Sequence, residues 1–378
     1  MSKDAQAERH TQEDALQSKT AAAHIAQGNL HAERGNAPAA IAAFQAALAV
    51  NPMIPEAGGI LINIARCHAH VGQIDEAINF ATQSLLADPT SAATTYLATL
   101  LYQNGRQAEA AKIFSKHAVN ANPTLLMCFG QMFIQLQQRE MGIAAYDLCA
   151  ERRPLAPVDN TEPPAPWAVS SPYSAEKPSP RYGALIDQYK ILHQEAQAKG
   201  KGQMFEGIVG FAIVAPYVRR FRQKVGAKDM LDYGGGRGAQ YRLGEITIGS
   251  KKYNSSLAYL GLERAECFDP GFDKDVPCDI FDLVICVDAL EHCDRQDLPW
   301  IVRNLFQRAR LGVFANVASY AAGKTLPNGE NAHCTVEDAP WWMGLFRAVA
   351  EEFPGVAYEV VVSKDLQQRS RVAFGRTA

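Results

Sequence analysis

The stretch MLDYGGGRGAQY, residues 230–241, sets four glycines into five positions directly behind a short apolar run. It reads as strand, tight turn and helix start. Glycines at 234, 236 and 238 remove side chains where a ligand must lie against the backbone, and a helix behind them offers free amides and the positive end of its dipole. Two patterns fit the same residues. Gly234-x-Gly236-x-x-Ala239 satisfies a dinucleotide fingerprint. Asp232, two residues ahead of the first glycine, extends the run to Asp-x-Gly-x-Gly-x-Gly. Its carboxylate at the strand end suits a ligand's ammonium group and repels a pyrophosphate.

Downstream, FDLVICVDALEH (281–292) is a continuous apolar run that emerges into polar residues at its C-terminal end. It reads as a buried parallel strand, and open α/β sheets bind ligands at that edge. A helix (DLPWIVRNLFQRA), a strand (LGVFANVAS), a helix around APWWMGLFRAVAEEF and two closing strands (AYEVVVSK, RVAFGR) follow.

Together these features resemble the class I S-adenosylmethionine-dependent methyltransferases over roughly residues 183–376. The resemblance implies a Rossmann-like domain with a mostly parallel, seven-stranded-type sheet. It implies S-adenosyl-L-methionine as cofactor, with Asp232, Gly234, Gly236, Gly238 and Asp288 in its site. The family's ribose-binding acid at the end of the second strand points to Asp269 in AECFDPGF, 33 residues beyond Gly236, with the loop EITIGSKKYNSS inserted before that strand. A turn aspartate before proline is the other reading of Asp269. About a dozen residues then separate Asp269 from the next strand, too few for a helix and a full third strand, so the third crossover reads as reduced. Asp275 and Asp279 are further candidates for adenine contacts.

Methyl transfer from a sulfonium chiefly requires alignment of donor and acceptor and exclusion of water, and a base only when the acceptor arrives protonated. The polar, then aromatic segment KTLPNGENAHCTVEDAPWW follows the fifth strand, where the family often builds its substrate wall. A similar stretch occurs in uncharacterised bacterial and phage-like methyltransferases. His333 is the first candidate for a general base, with a hydrogen-bonded structural histidine as the other reading. His292 is the second, or else shapes the cofactor site. Asn331, Trp341 and Trp342 are candidate substrate residues, the tryptophans alternatively core. Cys278, Cys286, Cys293 and His292 lack a close pair of ligand spacing, so no metal is expected.

The N-terminal part is of another kind. HIAQGNLHAERGNAPAAIAAFQAALAVNP opens a period of about 34 residues. Gly35, Gly72 and Gly105 each stand five residues before an alanine (Ala40, Ala77, Ala110), and the units close on Pro52, Pro89, Pro123 and Pro154. This resembles the tetratricopeptide repeat family over residues 20–154, four helix pairs of which the last is the most degenerate. Such a solenoid implies a concave surface for a protein or peptide partner, with Asn29, Asn63, Arg66, Tyr96 and Gln103 as candidate contacts. Eight of the chain's 20 prolines fall between Pro154 and Pro180, so 155–182 reads as an extended linker carrying Trp167, and 1–19 as an N-terminal tail. Arg219, Arg220, Arg222 and Lys224 form a charge cluster, a solvated helix face or an anion site.

Composition bounds the rest. The 378 residues are 47% hydrophobic with a formal charge of −3, so nucleic acid is not favoured. No segment has signal-peptide or membrane-spanning character, which points to the cytoplasm. The eight cysteines lie mostly in apolar runs, against disulfides. The expectation is an all-α repeat solenoid joined to an α/β methyltransferase domain at 183–378, whose acceptor is a protein, glycan or carrier-linked small molecule. The alternatives are an interaction scaffold on a catalytically inactive methyltransferase fold, and an NAD-dependent oxidoreductase.

Overall fold

The computed structural model describes residues 3–52, 54–88, 91–117, 123–153, 155–158, 171–198, 208–248, 250–273, 277, 279–365 and 371–377. The chain divides into two compact units, Met1–Phe129 and Gly130–Ala378.

The first unit is helical: α1 (Lys3–Glu33), α2 (Ala37–Val50), α3 (Ala57–His70), α4 (Ile74–Ala87), α5 (Ser91–Gln103), α6 (Gln107–His117) and the start of α7 (Pro123–Gln135). The periodic glycines explain the hairpins. Gly35, Gly72 and Gly105 take φ of 72°, 79° and 77°, the left-handed region where a Cβ is costly. The amides behind them close back across the helix ends, Asn36 N to His31 O at 2.9 Å and Arg106 N to Leu101 O at 2.8 Å. The small residues let helices approach: a Cβ on Gly28 would stand 2.5 Å from the Phe44 ring. Two of the candidate contacts meet each other, the Arg66 guanidinium lying 5.6 Å from the Tyr96 ring centre.

In the fourth helix pair the corresponding turn residue is Gln137, which still adopts φ 60°. Its second helix, α8 (Arg139–Arg152), belongs to the second unit, so the division falls ahead of the sequence boundary at 154. The cause is Asp147, whose Oδ1 accepts from the Tyr259 hydroxyl at 2.7 Å and lies 3.4 Å from the Arg219 guanidinium. Arg219 also donates to the Tyr253 hydroxyl, and Arg220 to the Ala150 carbonyl. These two arginines are anchors for α8 rather than a solvated face or an anion site.

Among the described residues the second unit is built on a seven-stranded sheet in the order β1-β9-β8-β7-β6-β2-β5, all neighbours parallel except β8 with β9. The strands are β1 (Ala156–Pro157), β2 (Asp229–Tyr233), β5 (Arg264–Phe268), β6 (Phe281–Val287), β7 (Ala309–Ala318), β8 (Ala357–Ser363) and β9 (Arg371–Arg376). The inserted loop forms a separate antiparallel hairpin, β3 (Ile246–Ile248) with β4 (Lys251–Tyr253), ahead of the short α11 (Ser256–Leu260). The chain leaves β2 for β5 on one side and returns to β6 on the other, which makes β2/β6 the switch point. Among the described residues no helix or strand lies between β5 and β6, so the third crossover is reduced as expected.

Helices α9 (Pro180–Ala198) and α10 (Ile208–Val225) precede the sheet. Helices α12 (Leu298–Gln307) and α13 (Ala339–Ala350) join the core through Trp300, Leu305, Phe306, Trp342 and Phe346, all buried. Gly312 in β7 admits Phe221 from α10, where a Cβ would come within 2.9 Å of the ring.

The proline-rich segment is not wholly a linker. Ala156 and Pro157 pair with Val372 and Ala373 at the sheet edge, the one place a strand tolerates proline. Its far end is pinned by Asp297, fully buried, which accepts from Ser179 N at 2.9 Å, Ser179 Oγ at 2.5 Å and Trp300 Nε1 at 2.8 Å. Trp167 and the prolines from 163 to 166 lie outside the described residues.

Replacing Asp297 with alanine strips three buried donors of their acceptor. Asp297→Ala is expected to lower the unfolding free energy of the second unit by about 3 kcal/mol, read as an earlier urea midpoint by tryptophan fluorescence.

Candidate functional site

A cavity of about 810 Å³ opens at the C-terminal ends of β2 and β6. That is a volume typical of small-molecule sites. Gly234, Gly236, Asp269, Asp288, His292 and His333 all line it, as do Tyr182, Leu185, Ile186, Tyr189 and Leu192 on one stripe of α9.

The glycine turn is built for close backbone approach. Gly234, Gly236 and Gly238 have φ of 86°, 59° and 67°. Neighbours leave no room for substitution, since a Cβ would meet Ala289 Cβ at 2.7 Å from Gly234 and Cys267 Sγ at 2.9 Å from Gly238. Asp269 holds the turn from the next strand, its Oδ2 accepting from Gly236 N at 3.0 Å and Oδ1 from Gly271 N at 2.7 Å. Burial raises its pKa against those two amide bonds.

Two expectations for this turn are corrected. No α-helix follows it: Ala239–Arg242 is a single 3₁₀ turn, too short for a dipole end. Asp232 is not among the cavity-lining residues. Its Oδ2 accepts from Gln240 Nε2 at 2.9 Å and from the Tyr241 hydroxyl at 2.7 Å, while Oδ1 is buried without a partner. A Cβ on Gly235 would stand 2.5 Å from its Cγ, so the second glycine of the run makes room for this carboxylate. Burial pushes the Asp232 pKa up to about 6.

The end of β6 supplies the other wall. Asp288 has φ 54° and is exposed to the cavity, its amide donating to Asn316 O at 3.1 Å. Glu291 is fully buried. Its Oε1 accepts from Ala318 N at 2.7 Å and its Oε2 has no hydrogen-bond partner. Burial first, and the Asp288 charge second, raise the Glu291 pKa well above the carboxylate range. His292 Nδ1 lies 2.8 Å from Ala332 O, and His333 Nδ1 lies 2.6 Å from Tyr320 O. A carbonyl only accepts, so each neutral ring carries its proton on Nδ1 and keeps an Nε2 lone pair. The two rings stand edge to face, 4.9 Å apart, and burial lowers the His292 pKa.

The remaining candidates serve the frame. Asn331 clamps the loop, accepting from Ala322 N and donating to Ala322 O, both at 2.9 Å, and accepting from His333 N. Trp342 is wholly buried in the core. Trp341 packs edge to face on it, under the Arg295 guanidinium. Neither tryptophan lines the cavity, because both ride on α13, which packs against the sheet face rather than its edge. Asp279 does not line it either, and Asp275 and Cys278 lie outside the described residues. Cys286 and Cys293 are free thiols.

The sequence reading missed Tyr189, Tyr320 and Lys324, all cavity-lining. Tyr182, Leu185, Ile186, Tyr189 and Leu192 do carry a signal: spacings of three and four mark one face of a helix. The Tyr189 hydroxyl reaches both His292 Nδ1, at 2.9 Å, and Ala332 O.

Comparison with known proteins supports the repeats. The tetratricopeptide repeat family profile matches residues 25–92 and 71–123. No curated protein matches the chain. Solved structures similar to parts of it include a tetratricopeptide repeat protein from Parabacteroides merdae, at 16% identity over 53% of this chain and 73% of that one, TM-score 0.31. Another is a thermophilic TPR protein of Thermus thermophilus, at 18% identity over 35% and 74%, TM-score 0.28. A third is a mutant O-GlcNAc transferase of Thermobaculum terrenum, at 13% identity over 93% and 76%, TM-score 0.30. Likenesses at these TM-scores carry no argument about the fold. Among the described residues no helix is long and apolar enough to cross a membrane.

Asp232 generates a pH prediction. Its folded pKa, about 6, exceeds the ordinary 3.8, so the folded state binds the extra proton between those values. The stability it contributes is present below about pH 4 and lost as pH rises through about 6. At pH 7 Asp232→Asn is therefore expected to be more stable than the wild type, by an amount of order 2 kcal/mol. The difference should shrink steadily as urea unfolding is repeated down to pH 4.

Proposed function

We propose that the protein holds a protein or peptide partner on its repeat array and S-adenosylmethionine in the cavity of its α/β unit. The first half rests on the family match over residues 25–123. The second rests on one observation: bare glycine backbone at Gly234 and Gly236 shares a cavity wall with the carboxylates of Asp269 and Asp288. A wall so charged favours a ligand that brings a positive centre and disfavours a pyrophosphate. The 3₁₀ turn behind the glycines also lacks the helix end that a dinucleotide requires, which counts against the oxidoreductase reading.

The residues fit the group. The main chain at 234 and 236 would lie against the nucleoside, and the Asp269 carboxylate, with lone pairs left beside its two amide bonds, would accept from ribose hydroxyls. When bound, S-adenosylmethionine supplies a methyl group on a sulfonium leaving group. The chain's own part is to align an acceptor, to exclude water with the Tyr182–Tyr189 stripe of α9, and to take a proton from a hydroxyl or ammonium acceptor. The nitrogen best set for that proton is His292 Nε2, because the Ala332 carbonyl fixes the ring. The acceptor would be delivered by, or be, the partner on the repeats.

A second reading is a scaffold whose α/β unit no longer turns over, favoured by the repeats alone being matched by a known family. A calorimetric titration paired with a methyl-labelling experiment separates the two. S-adenosylmethionine is expected to bind the full-length protein, about tenfold more weakly to Asp269→Asn, and label from its methyl group to enter a lysate fraction. Binding without label in protein, glycan or small-molecule fractions selects the scaffold. Binding of NADH in place of S-adenosylmethionine would overturn the cofactor assignment.

A further inference from the structure

We propose that Asp288, Glu291 and His333 form a binding site for a divalent cation of the Mn²⁺ or Zn²⁺ class at the wall of the cavity. One ligand atom from each of the three lies within 4.8 Å of the others. Donors held at about 2.1 Å from a common ion sit roughly 3–4 Å apart, so side-chain adjustments of under about 1 Å close the set.

The strongest sign is Glu291 Oε2. The residue is fully buried, Oε1 is fixed by the Ala318 amide, and Oε2 meets no donor but faces the Asp288 carboxylate, so the two acids must share either a proton or a cation. A buried acceptor with no donor, facing a like charge, is what a bound cation resolves. His333 points the same way. Its Nδ1 donates to the Tyr320 carbonyl, leaving Nε2 as the free donor atom. That is the outer hydrogen bond metal-ligating histidines ordinarily make. Asn331 holds His333 N at 2.9 Å, so the ring is placed before any ion arrives.

Access and charge agree. Asp288 and His333 line the cavity and Glu291 closes the site from behind, leaving the cavity side for water or a ligand oxygen. Lys324 lines the same wall within electrostatic reach of Asp288, one positive charge against two carboxylates. Two carboxylates and one imidazole make a mixed oxygen–nitrogen set, suited to Mn²⁺ or Zn²⁺ more than to Ca²⁺. The expectation of no metal rested on cysteine spacing, and this set uses no cysteine.

The test is binding itself, independent of methyl transfer. Full-length protein freed of metal with a chelator is titrated with Mn²⁺, which thiols do not capture well, and free Mn²⁺ is followed by electron paramagnetic resonance. One Mn²⁺ per chain is expected. Binding should weaken about tenfold or more in D288N, E291Q and H333N, and stay unchanged in E245Q on the remote hairpin. The first two variants keep the frame, since Asn tolerates a left-handed φ and Gln still accepts from Ala318 N. Should H333N melt at lower temperature without Mn²⁺, those two carry the test. No binding at millimolar Mn²⁺, or equal binding by D288N, E291Q and wild type, overturns the site and means that Glu291 instead keeps a proton beside Asp288.

Discussion

The exit of β6 from the sheet is the constraint on which the site depends. At Asp288 the backbone turns into the left-handed region, φ 54°, a conformation that short polar residues bear better than others. The turn is enforced from both sides. The Asp288 amide is bound to Asn316 O on β7, and Gly210 on α10 leaves room where a Cβ would press to 3.0 Å of the Asp288 side chain. Three residues later the Glu291 carboxylate takes the Ala318 amide at the end of β7. One kink thus locks two parallel strand ends together and delivers Asp288, Glu291 and His292 to one edge of the sheet.

The opposite wall obeys the same economy. The glycine turn rests on Asp269 from one side and on buried Asp232 from beneath, and the bonds each accepts come from neutral amides and a hydroxyl. With Glu291 that makes two buried acids, Asp232 and Glu291, and one half-buried, Asp269, around one sheet edge, each raised in pKa first of all by burial. Acids held so are a stability cost that a folded core avoids unless the place has a use. A ligand or ion bringing positive charge relieves that cost and binds the folded state alone, so occupancy and stability rise together.

What the sequence revealed followed from local rules. The glycines at 35, 72 and 105 mark helix ends because no other residue takes φ near 75° so readily, and the run 281–287 marks a strand buried on both faces. The reduced third crossover was readable from chain length alone. The losses were tertiary. Nothing local tells that Asp147 draws α8 onto the α/β unit, or that Asp232 turns under its glycines instead of into the cavity. Trp341 and Trp342 looked like a wall because they follow a polar loop, but the period of α13 carries them to the core. The Asp288, Glu291 and His333 set was hidden for a plainer reason: its third member comes 42 residues after the second, on a loop that only the fold brings back.

That returning loop decides how the two histidines differ. His292 is tied to Ala332 O and to the Tyr189 hydroxyl, so its ring is fixed to α9 and the cavity wall. His333 is tied to Tyr320 O and to Asn331, both within the loop itself. A ring tied to the wall in this way is held at the cavity, which His292 lines. A ring fixed within its own loop suits a group that must stand still for a neighbouring carboxylate pair. The edge-to-face contact at 4.9 Å keeps the two roles in register without a hydrogen bond between them.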